Sequence, residues 1–441
     1  MQKNKRRRDI AMTLYELTEQ KWDLIVVGGG LTGVAAAAAA KRGGAKNVLI
    51  VDKAGYLGGA AAVNLIMPFM PYSTTVNGKP FPLSRGLFTE LTGLLTETGA
   101  LCPGGHNGIQ EELLKIALDR FVVREGIEVL LHAYLCGAEK TGDSVTALNF
   151  ATKSGVFRLE AKYFIDCTGD ADLAVAAGCP THLGREDHLC QPMTLCFRIG
   201  NVDIRKLAGR LGDVQKKYKE LQAEGKIRNP REDILVFPTD IEGVLHFNTT
   251  RVVRRNPMDP LDVTKAEMEA REQMLEMYLF LKQYAPGCEN CSLLYSGSEI
   301  GVRESRMIEG EYVLTQEDLV ACRVFEDAIA AGNYDIDIHN PEGSGTSHYY
   351  FPQGSWYTIP FRSLIPKGTE NLLVAGRCIS STHEAQASYR IMPIVTTLGE
   401  AAGTAMAVAW NAGVKIREAD IHTIQNILRK NGAFIGKTET N

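Results

Sequence analysis

The glycine-rich segment near the N-terminus constrains the fold of this chain more than any other feature. An apolar run ending at Val27 leads into Gly28, Gly30 and Gly33, spaced Gly-x-Gly-x-x-Gly, and a second apolar run ends at Asp52. The pattern predicts a strand, a tight turn, a helix and a second strand, with the glycines permitting the turn, ligand approach and close helix packing. Free N–H groups at the helix start favour phosphates. The segment therefore predicts a dinucleotide site.

The carboxylate at the end of the second predicted strand suits a ribose. Asp52 lies about twenty residues beyond the glycine turn, where an acidic side chain accepts a hydrogen bond from a ribose hydroxyl in such units. The residues of this unit that we expect to contact the dinucleotide are Gly28, Gly30, Leu31, Thr32, Gly33, Asp52 and Lys53.

Further glycine turns extend the expected site along the chain. Gly58 and Gly59 follow the second strand, and two later apolar runs end at Thr168-Gly169-Asp170 and at Gly376-Arg377. Backbone approach at several separated places suits a long, extended ligand such as FAD, whereas NAD is usually held by one compact unit. The chain contains no second Gly-x-Gly-x-x-Gly for a separate NAD(P) domain.

Together these turns resemble the FAD-binding fold of glutathione reductase and fumarate reductase flavoproteins. The match is closer to the bacterial family of FAD-dependent oxidoreductases and covers residues from about 22 to about 415. The runs that carry it are Ile300–Arg306, Gly310–Thr315, Tyr357–Pro366, Ala375–Ser380, His383–Ala385, Arg390–Pro393 and Gly399–Gly403. The resemblance implies FAD as the cofactor and leaves the substrate open.

We predict an α/β chain with a Rossmann-like FAD-binding domain and an inserted α+β cap that selects substrate. The FAD domain comprises residues 21–184 and 361–441, the cap comprises residues 185–360, and residues 1–20 form a polar tail. Residues 66–108 lie within the first FAD segment, and an assignment of part of them to the cap stays open.

An alternating region predicts an antiparallel meander within the FAD domain. Residues 127–164 alternate in polarity and are interrupted at Gly142-Asp143 and Ser154-Gly155. The meander belongs to the FAD domain in relatives of this fold, so we add Leu135, which lies in it, to the expected cofactor contacts.

The last long apolar segment predicts a helix that begins at the cofactor. Pro393 suits the first helical position, and small residues such as Gly399 and Gly403 allow the helix to press against another backbone. In the resembled fold this helix points its N-terminus at the flavin, where its dipole favours negative charge. Met392 and Pro393 are therefore expected cofactor contacts.

Catalytic candidates lie just before that helix and in the Ile300–Arg306 run. His383 can exchange a proton near neutral pH, and Arg390 and Arg303 can hold a carboxylate. Two structural alternatives stay open: His383 paired with Glu384, and Arg303, Glu304 and Arg306 in an interdomain salt-bridge network.

Composition restricts the partners. The formal net charge is −4, which gives no reason to expect nucleic acid, and no uninterrupted apolar stretch has the roughly 20 residues of a membrane span. The ten cysteines show no disulfide framework, which favours a cytoplasmic chain. Cys288 and Cys291 form one CxxC pair of undecided role, and we expect no metal. The chain allows a homodimer without requiring one.

We predict an FAD-dependent oxidoreductase that moves a hydride between the flavin and a small polar substrate, a hydroxy compound or a carboxylate. His383 would exchange the proton, and Arg390 and Arg303 would anchor the substrate. One alternative is a fumarate-reductase-like reductase of C=C bonds. Another is a flavoprotein without turnover of its own, serving as the electron-transfer subunit of a complex. The electron acceptor or donor is unknown in each case.

Overall fold

The computed structural model of the chain describes residues 14–101 and 108–436. Most of the predicted N-terminal tail lies outside these residues. The elements up to Asp166 are α1 (Leu14–Glu19), β1 (Trp22–Val27), α2 (Leu31–Arg42), β2 (Val48–Val51), α3 (Ala60–Val63), β3 (Ser73–Val76), β4 (Lys79–Pro82), α4 (Leu87–Glu97), α5 (Glu111–Glu125), β5 (Glu128–Leu130), β6 (Tyr134–Thr141), β7 (Ser144–Thr152) and β8 (Gly155–Asp166).

The middle of the chain alternates short strands with two longer helices. Its elements are α6 (Asp172–Ala176), β9 (Thr181–Leu183), β10 (Phe197–Gly200), α7 (Ile204–Leu207), α8 (Leu211–Ala223), β11 (Val236–Pro238), β12 (Leu245–Phe247), α9 (Pro260–Tyr284), β13 (Ser292–Ser296), β14 (Arg306–Ile308), α10 (Gln316–Val320), β15 (Ala328–Gly332), β16 (Ile336–His339), β17 (Thr346–Tyr349) and β18 (Tyr357–Pro360).

The C-terminal part is mainly helical. A 3-10 turn (Phe361–Leu364) precedes β19 (Leu372–Val374), α11 (His383–Tyr389) and α12 (Met392–Ala412), and a second 3-10 turn (Ile416–Glu418) precedes α13 (Ile421–Lys430).

The main sheet combines a parallel part with an antiparallel meander. In the described residues it has seven strands in the order β5-β2-β1-β8-β7-β6, with β19 also paired to β8. Strands β5, β2, β1, β8 and β19 run parallel, while β6, β7 and the first half of β8 are antiparallel. The predicted meander is thus confirmed, with its turns at the two predicted interruptions.

Helix α12 packs backbone to backbone on α2. A methyl group built on Gly399 would lie 2.1 Å from the carbonyl oxygen of Thr32, and one on Gly403 would lie 2.0 Å from that of Ala36. Only glycine allows these approaches, so the predicted role of the small residues is confirmed. Because α2 follows β1, the packing fixes the start of α12 beside the glycine turn.

A second, four-stranded sheet lies in the middle of the chain, in the order β11-β12-β10-β13. One face of it packs on α8 and α9 through a separate core that includes Phe197, Phe247, Tyr218 and Phe280. This sheet and its two helices occupy the centre of the region assigned to the cap.

Residues near the end of the assigned cap join the main core instead. Ala328, Ile336, Tyr357 and Ile359 belong to the same buried cluster as the residues of α2 and α12. The fold is a mixed α/β fold, and the boundaries of an inserted cap stay a prediction.

In the described part of the chain, no single helix has the length and apolarity to cross a membrane. Helices α11 and α12 meet that test only as a pair, and they are bent by 95°.

Candidate active site

A cavity of about 710 Å³ opens where the parallel strands end. The carboxyl ends of β1, β2, β8 and β19 meet at this edge, which is where open α/β sheets bind ligands. The residues predicted from sequence that line it are Gly28, Gly30, Leu31, Thr32, Asp52, Lys53, Gly58, Gly59, Thr168, Gly169, Asp170, Gly376, Arg377, Arg390 and Met392.

The other predicted site residues do not line this cavity. Pro393 is buried one residue inside α12, and Leu135 packs against a core on the meander while its neighbour Tyr134 lines the cavity. Gly33 lies behind the turn, and His383 and Arg303 lie in a polar cluster described below.

Two glycines of the turn are required by the packing of the backbone, independently of any ligand. Gly28 has φ of +104°, and a methyl group on it would lie 2.3 Å from the carbonyl oxygen of Cys167. A methyl group on Gly33 would lie 1.8 Å from the carbonyl oxygen of Gly28. These glycines bring α2 against β1 and the turn against the end of β8.

Two other glycines leave space that the described residues do not fill. A methyl group on Gly30 would meet only the Cα of Gly59, at 3.6 Å, and one on Gly376 would meet no atom within 4 Å. Both glycines line the cavity. The space beside these two glycines is therefore open for a ligand to approach the backbone.

Two helices begin at the cavity. Leu31 and Thr32 open α2, and Met392 and Val395 lie in the first turn of α12. Neither N-terminus receives a side-chain cap from the described residues. The free N–H groups and positive dipole ends suit phosphate or other negative charge.

Asp52, the carboxylate predicted to bind a ribose, stabilises the glycine turn. Asp52 accepts hydrogen bonds from the backbone N–H groups of Gly29 (2.5 Å) and Ala54 (2.7 Å), and burial raises its pKa. Lys53 forms an ion pair with Glu299 (2.8 Å). Both side chains still line the cavity, so a ribose contact remains a prediction.

Arg377 reaches across the cavity floor to an acidic partner. Its Nη2 donates to Oδ1 of Asp170 at 2.7 Å, and Ser305 donates to the same oxygen at 2.6 Å. Burial opposes its charge, yet Asp170 raises the pKa of Arg377 above its usual value. Its Nε has no partner among the described residues, so Arg377 keeps a donor for a ligand.

The predicted Arg303–Glu304–Arg306 network is divided in the structure. Arg306 pairs with Asp172. Burial and neighbouring carboxylates raise the pKa of Asp172 to about 6. Glu304 and Arg303 point to other partners.

His383 pairs with Glu304 and not, as the structural alternative supposed, with Glu384. Its Nδ1 lies 2.7 Å from Oε1 and 2.8 Å from Oε2 of Glu304. The Glu304 carboxylate is fully buried and accepts a hydrogen bond from the backbone N–H of Gln191. Nε2 of His383 is buried without a partner in the described residues. A carboxylate on Nδ1 fixes the tautomer and leaves Nε2 free to accept a proton.

Arg303 is held by neutral groups. Its guanidinium donates to the carbonyl oxygen of Pro192 (2.7 Å), to Oγ1 of Thr194 (2.5 Å) and to Oδ1 of Asn248 (3.3 Å). Burial, with nearby Arg390 and other arginines, lowers the pKa of Arg303 to about 9.

Arg390 follows α11 directly and enters the cavity. Its Nη2 lies 3.5 Å from Oδ2 of Asp337 and donates to the carbonyl oxygen of Asp337 at 3.3 Å. Despite burial, His339, Arg390 and Arg303 hold the pKa of Asp337 far below its usual range. Sequence reasoning missed Asp337, because no motif links β16 to α11.

The remaining sequence hypotheses concern metal and thiols. Among residues 14–101 and 108–436, no group of three or more His, Cys, Asp or Glu side chains could hold a metal ion. Cys288 and Cys291 are free, buried thiols in the core of the second sheet.

Comparison with solved structures gives remote similarities. These include p-nitrophenol 4-monooxygenase PnpA from Pseudomonas putida DLL-E4 (10% identity, 96% of this chain, 91% of that chain, TM-score 0.45) and BexE of BE-7585A biosynthesis (12%, 93%, 68%, 0.47). The flavin-dependent brominase Bmp2 is similar at the same level (11%, 93%, 83%, 0.46). No curated protein matches the chain.

A family model gives the decisive comparison. The model described as FAD dependent oxidoreductase matches residues 23–428, which include both sheets and every residue lining the cavity. The chain therefore belongs to the family of FAD dependent oxidoreductases and is an enzyme that uses FAD.

Proposed function

We propose that the enzyme transfers a hydride between FAD and a small organic substrate that carries a carboxylate, such as a hydroxy acid. The observation that carries the proposal is the position of Arg390. It lines the cavity that contains Gly30, Gly376 and the two helix N-termini. Gln386, on the helix that Arg390 follows, donates a hydrogen bond to the carbonyl oxygen of Arg303, whose own hydrogen bonds go to neutral acceptors.

The residues of the cavity fit FAD. Gly30 and Gly376 leave room for close approach, the start of α2 offers N–H groups to phosphates, and Arg377 keeps an unpaired donor. The start of α12 offers its positive end to the ring system. When bound, FAD supplies a reversible acceptor for the hydride of a C–H bond.

Arg390 and Arg303, the arginine pair, favour binding of an anion. The pKa of Arg303 falls to about 9 because burial and the neighbouring guanidinium groups disfavour its charge. Asp337 lies 3.5 Å from Arg390, while the hydrogen bonds of Arg303 go to neutral acceptors. A substrate carboxylate would supply the missing negative charge and form the bidentate contacts that arginine favours.

His383 completes the proposed chemistry as the residue that exchanges a proton. The Glu304 carboxylate stabilises a proton on Nδ1, so the buried Nε2 is the acceptor. In oxidation of a hydroxy acid, His383 would accept the hydroxyl proton as the substrate carbon loses its hydride, and the glutamate would stabilise the resulting imidazolium.

Rapid mixing of the FAD-loaded enzyme with a panel of hydroxy acids, without oxygen, tests the assignment. Arg390→Gln should raise the apparent substrate Kd about 100-fold, because a charged, desolvated contact contributes about 3 kcal/mol. His383→Gln should slow flavin reduction at least about 100-fold at saturating substrate.

The matched control is Arg362→Gln. Arg362 pairs with Asp327 at 2.9 Å, half-exposed and away from the cavity, so its loss should leave both constants unchanged. Unchanged substrate affinity in Arg390→Gln would remove the carboxylate anchor from the account. An unchanged reduction rate in His383→Gln would remove the assigned proton acceptor.

A further inference from the structure

The second sheet has two chemically different faces. Phe197 and Phe247 stack at 5.2 Å on the face that packs against α8 and α9. Arg198 and His246 are the next residues along β10 and β12, and they are cross-strand partners. Because side chains alternate along a strand, they point to the opposite face. Arg198 there contacts Met67 and Ile109, which belong to the main hydrophobic core.

His246 is the unexplained residue of that face. It is fully buried, and neither Nδ1 nor Nε2 has a hydrogen-bond partner in the described part of the chain. Burial and the charge of Arg198 lower its pKa to about 3, so the imidazole is neutral at physiological pH. Leaving both nitrogens unpaired costs stability, so a polar group outside the described residues is expected to satisfy them.

His246 and its neighbours Arg198, Glu111 and Tyr295 form a polar surface that we call the polar wall. Arg198 donates to Glu111 at 2.6 Å and to the hydroxyl of Tyr295 at 2.9 Å, and Tyr295 donates to the other oxygen of Glu111 at 2.7 Å. This closed network holds Arg198 in place, while its buried Nε–H lacks a partner among the described residues. The wall therefore offers one donor from Arg198 and one donor and one acceptor from His246.

This wall continues into the arginine pair. Asn248 lies two residues beyond His246, just past the end of β12, and accepts a hydrogen bond from Arg303. Two residues of extended chain span about 7 Å. Thr194, four residues before Arg198, also accepts a hydrogen bond from Arg303, at 2.5 Å.

We propose that His246 and Arg198 bind a second hydroxyl group of the substrate, distinct from the hydroxyl whose proton His383 accepts. A neutral imidazole presents one donor and one acceptor, and a hydroxyl can satisfy both, whereas a carboxylate or carbonyl can only accept. The inference rests on the proposed function, because the carboxylate of the same substrate would lie at Arg390 and Arg303. It makes the preferred substrate a hydroxy acid that carries a further hydroxyl group a few carbon atoms from its carboxylate.

Pairs of acids that differ only in hydroxyl groups provide the test. Binding of glycerate and lactate, tartrate and malate, and gluconate and 2-hydroxyhexanoate is followed by the flavin difference spectrum of the FAD-loaded enzyme. The wild type should bind at least one hydroxy acid about 10-fold more tightly than its deoxy partner. His246→Phe should reduce that preference below about 2-fold without changing the affinity for the deoxy acid.

Two further variants separate recognition from folding. His246→Gln keeps a donor and an acceptor and should retain part of the preference. Phe247→Leu changes the adjacent residue on the helix-facing side, and it should retain all of it even where it lowers stability. The ring ¹⁵N resonances of His246, assigned by their loss in His246→Gln, should shift with the preferred hydroxy acid and not with its partner.

The outcomes distinguish this inference from the proposed function. Equal binding of both members of every pair, an unchanged preference in His246→Phe, or unmoved His246 resonances would overturn the hydroxyl site while leaving the carboxylate anchor intact. Failure of every acid in the panel to bind would overturn both.

Discussion

The cofactor cavity and the polar cluster behind it are built in opposite ways. The cavity is shaped mainly by backbone, namely glycines, helix N-termini and strand ends brought together by a parallel sheet, and charged side chains such as Arg377 and Asp170 line part of it. The cluster is made of charged and polar side chains from distant segments, including Arg303, Asp337, His383 and Arg390. The cavity therefore depends on the absence of side chains at its glycines, whereas the polar cluster depends on the presence of charged side chains.

The difference predicts how each region responds to mutation. Adding a methyl group to a glycine should lower the affinity of the cavity for FAD, because the ligand needs the space beside that glycine. Removing one charge should damage the cluster, because buried charges stabilise only when they are paired. Four variants, in order of expected effect, test this contrast.

Gly33→Ala should have the largest effect. The added methyl group would lie 1.8 Å from the carbonyl oxygen of Gly28, so α2 must move away from the turn. We expect FAD affinity to fall more than about 100-fold, measured by equilibrium dialysis, and stability to fall by a few kcal/mol, on the order of a core-overpacking penalty. Gly93→Ala, in α4 with no atom within 4 Å, is the control and should be neutral or slightly stabilising. Normal FAD binding in Gly33→Ala would contradict the backbone account.

Asp337→Asn should have the next largest effect. It removes the carboxylate that pairs with Arg390, and breaking such a buried pair costs about 3 kcal/mol. Chemical denaturation should show this loss, and added substrate-like carboxylates should restore part of it by occupying the vacated charge. A variant as stable as the wild type would show that the arginines do not need a counter-charge.

Glu400→Gln should change the pH dependence of stability by about 3 kcal/mol or less. Glu400 on α12 accepts from the backbone N–H of Leu87 at the start of α4, and burial raises its pKa to about 7. The folded state therefore holds a proton that the unfolded state has lost between about pH 4.5 and 7, so the contribution of Glu400 to stability should fall with rising pH across this window and then level off.

Thermal unfolding of the wild type and the glutamine variant should therefore give a stability difference (wild type minus variant) that falls as the pH rises from about 4.5 to 7. Burial lowers the pKa values of His246 and His339 from 6.5 to about 3, so both residues make stability rise with pH up to about 6.5 in both proteins, and the difference between the proteins removes this shared contribution. A difference that stays constant across this window would assign the titration to another group.

Gly30→Ala should have the smallest effect on the protein and a selective one on the ligand. Its methyl group would enter open space, meeting only the Cα of Gly59 at 3.6 Å, and its φ of −67° suits alanine. We expect an unchanged melting temperature without FAD and an FAD affinity about 10-fold lower, a cost of about 1.4 kcal/mol. Equal affinity for FAD would mean that the ligand does not approach Gly30.

The sequence predicted the cavity well because its determinants are local. The strand, turn and helix around Gly28 are encoded within thirty residues, and the meander is encoded by alternation and two turn signals. Helix–helix contact at Gly399 and Gly403 was also predictable, because small residues at helical spacing have few other uses.

The sequence predicted members of the polar cluster without their partners. His383 and Glu304 are 79 residues apart, and Arg390 and Asp337 are 53 residues apart. No periodicity links such positions, so the adjacent Glu384 was considered as a partner and Asp337 was missed. His246 gave no signal at all, since only the register of β10 and β12 shows that it shares a face with Arg198.

Anaerobic titration of the FAD-loaded enzyme with paired hydroxy, saturated and unsaturated carboxylic acids, in the wild type and in Arg390→Gln, tests the proposed function most directly. The account predicts that at least one hydroxy acid bleaches the flavin in the wild type, and that Arg390→Gln requires about 100-fold more of it. Reoxidation of the chemically reduced enzyme by unsaturated acids alone would establish the C=C reductase in its place. A flavin that responds to no acid in either direction would contradict the carboxylate account and favour an electron-transfer subunit.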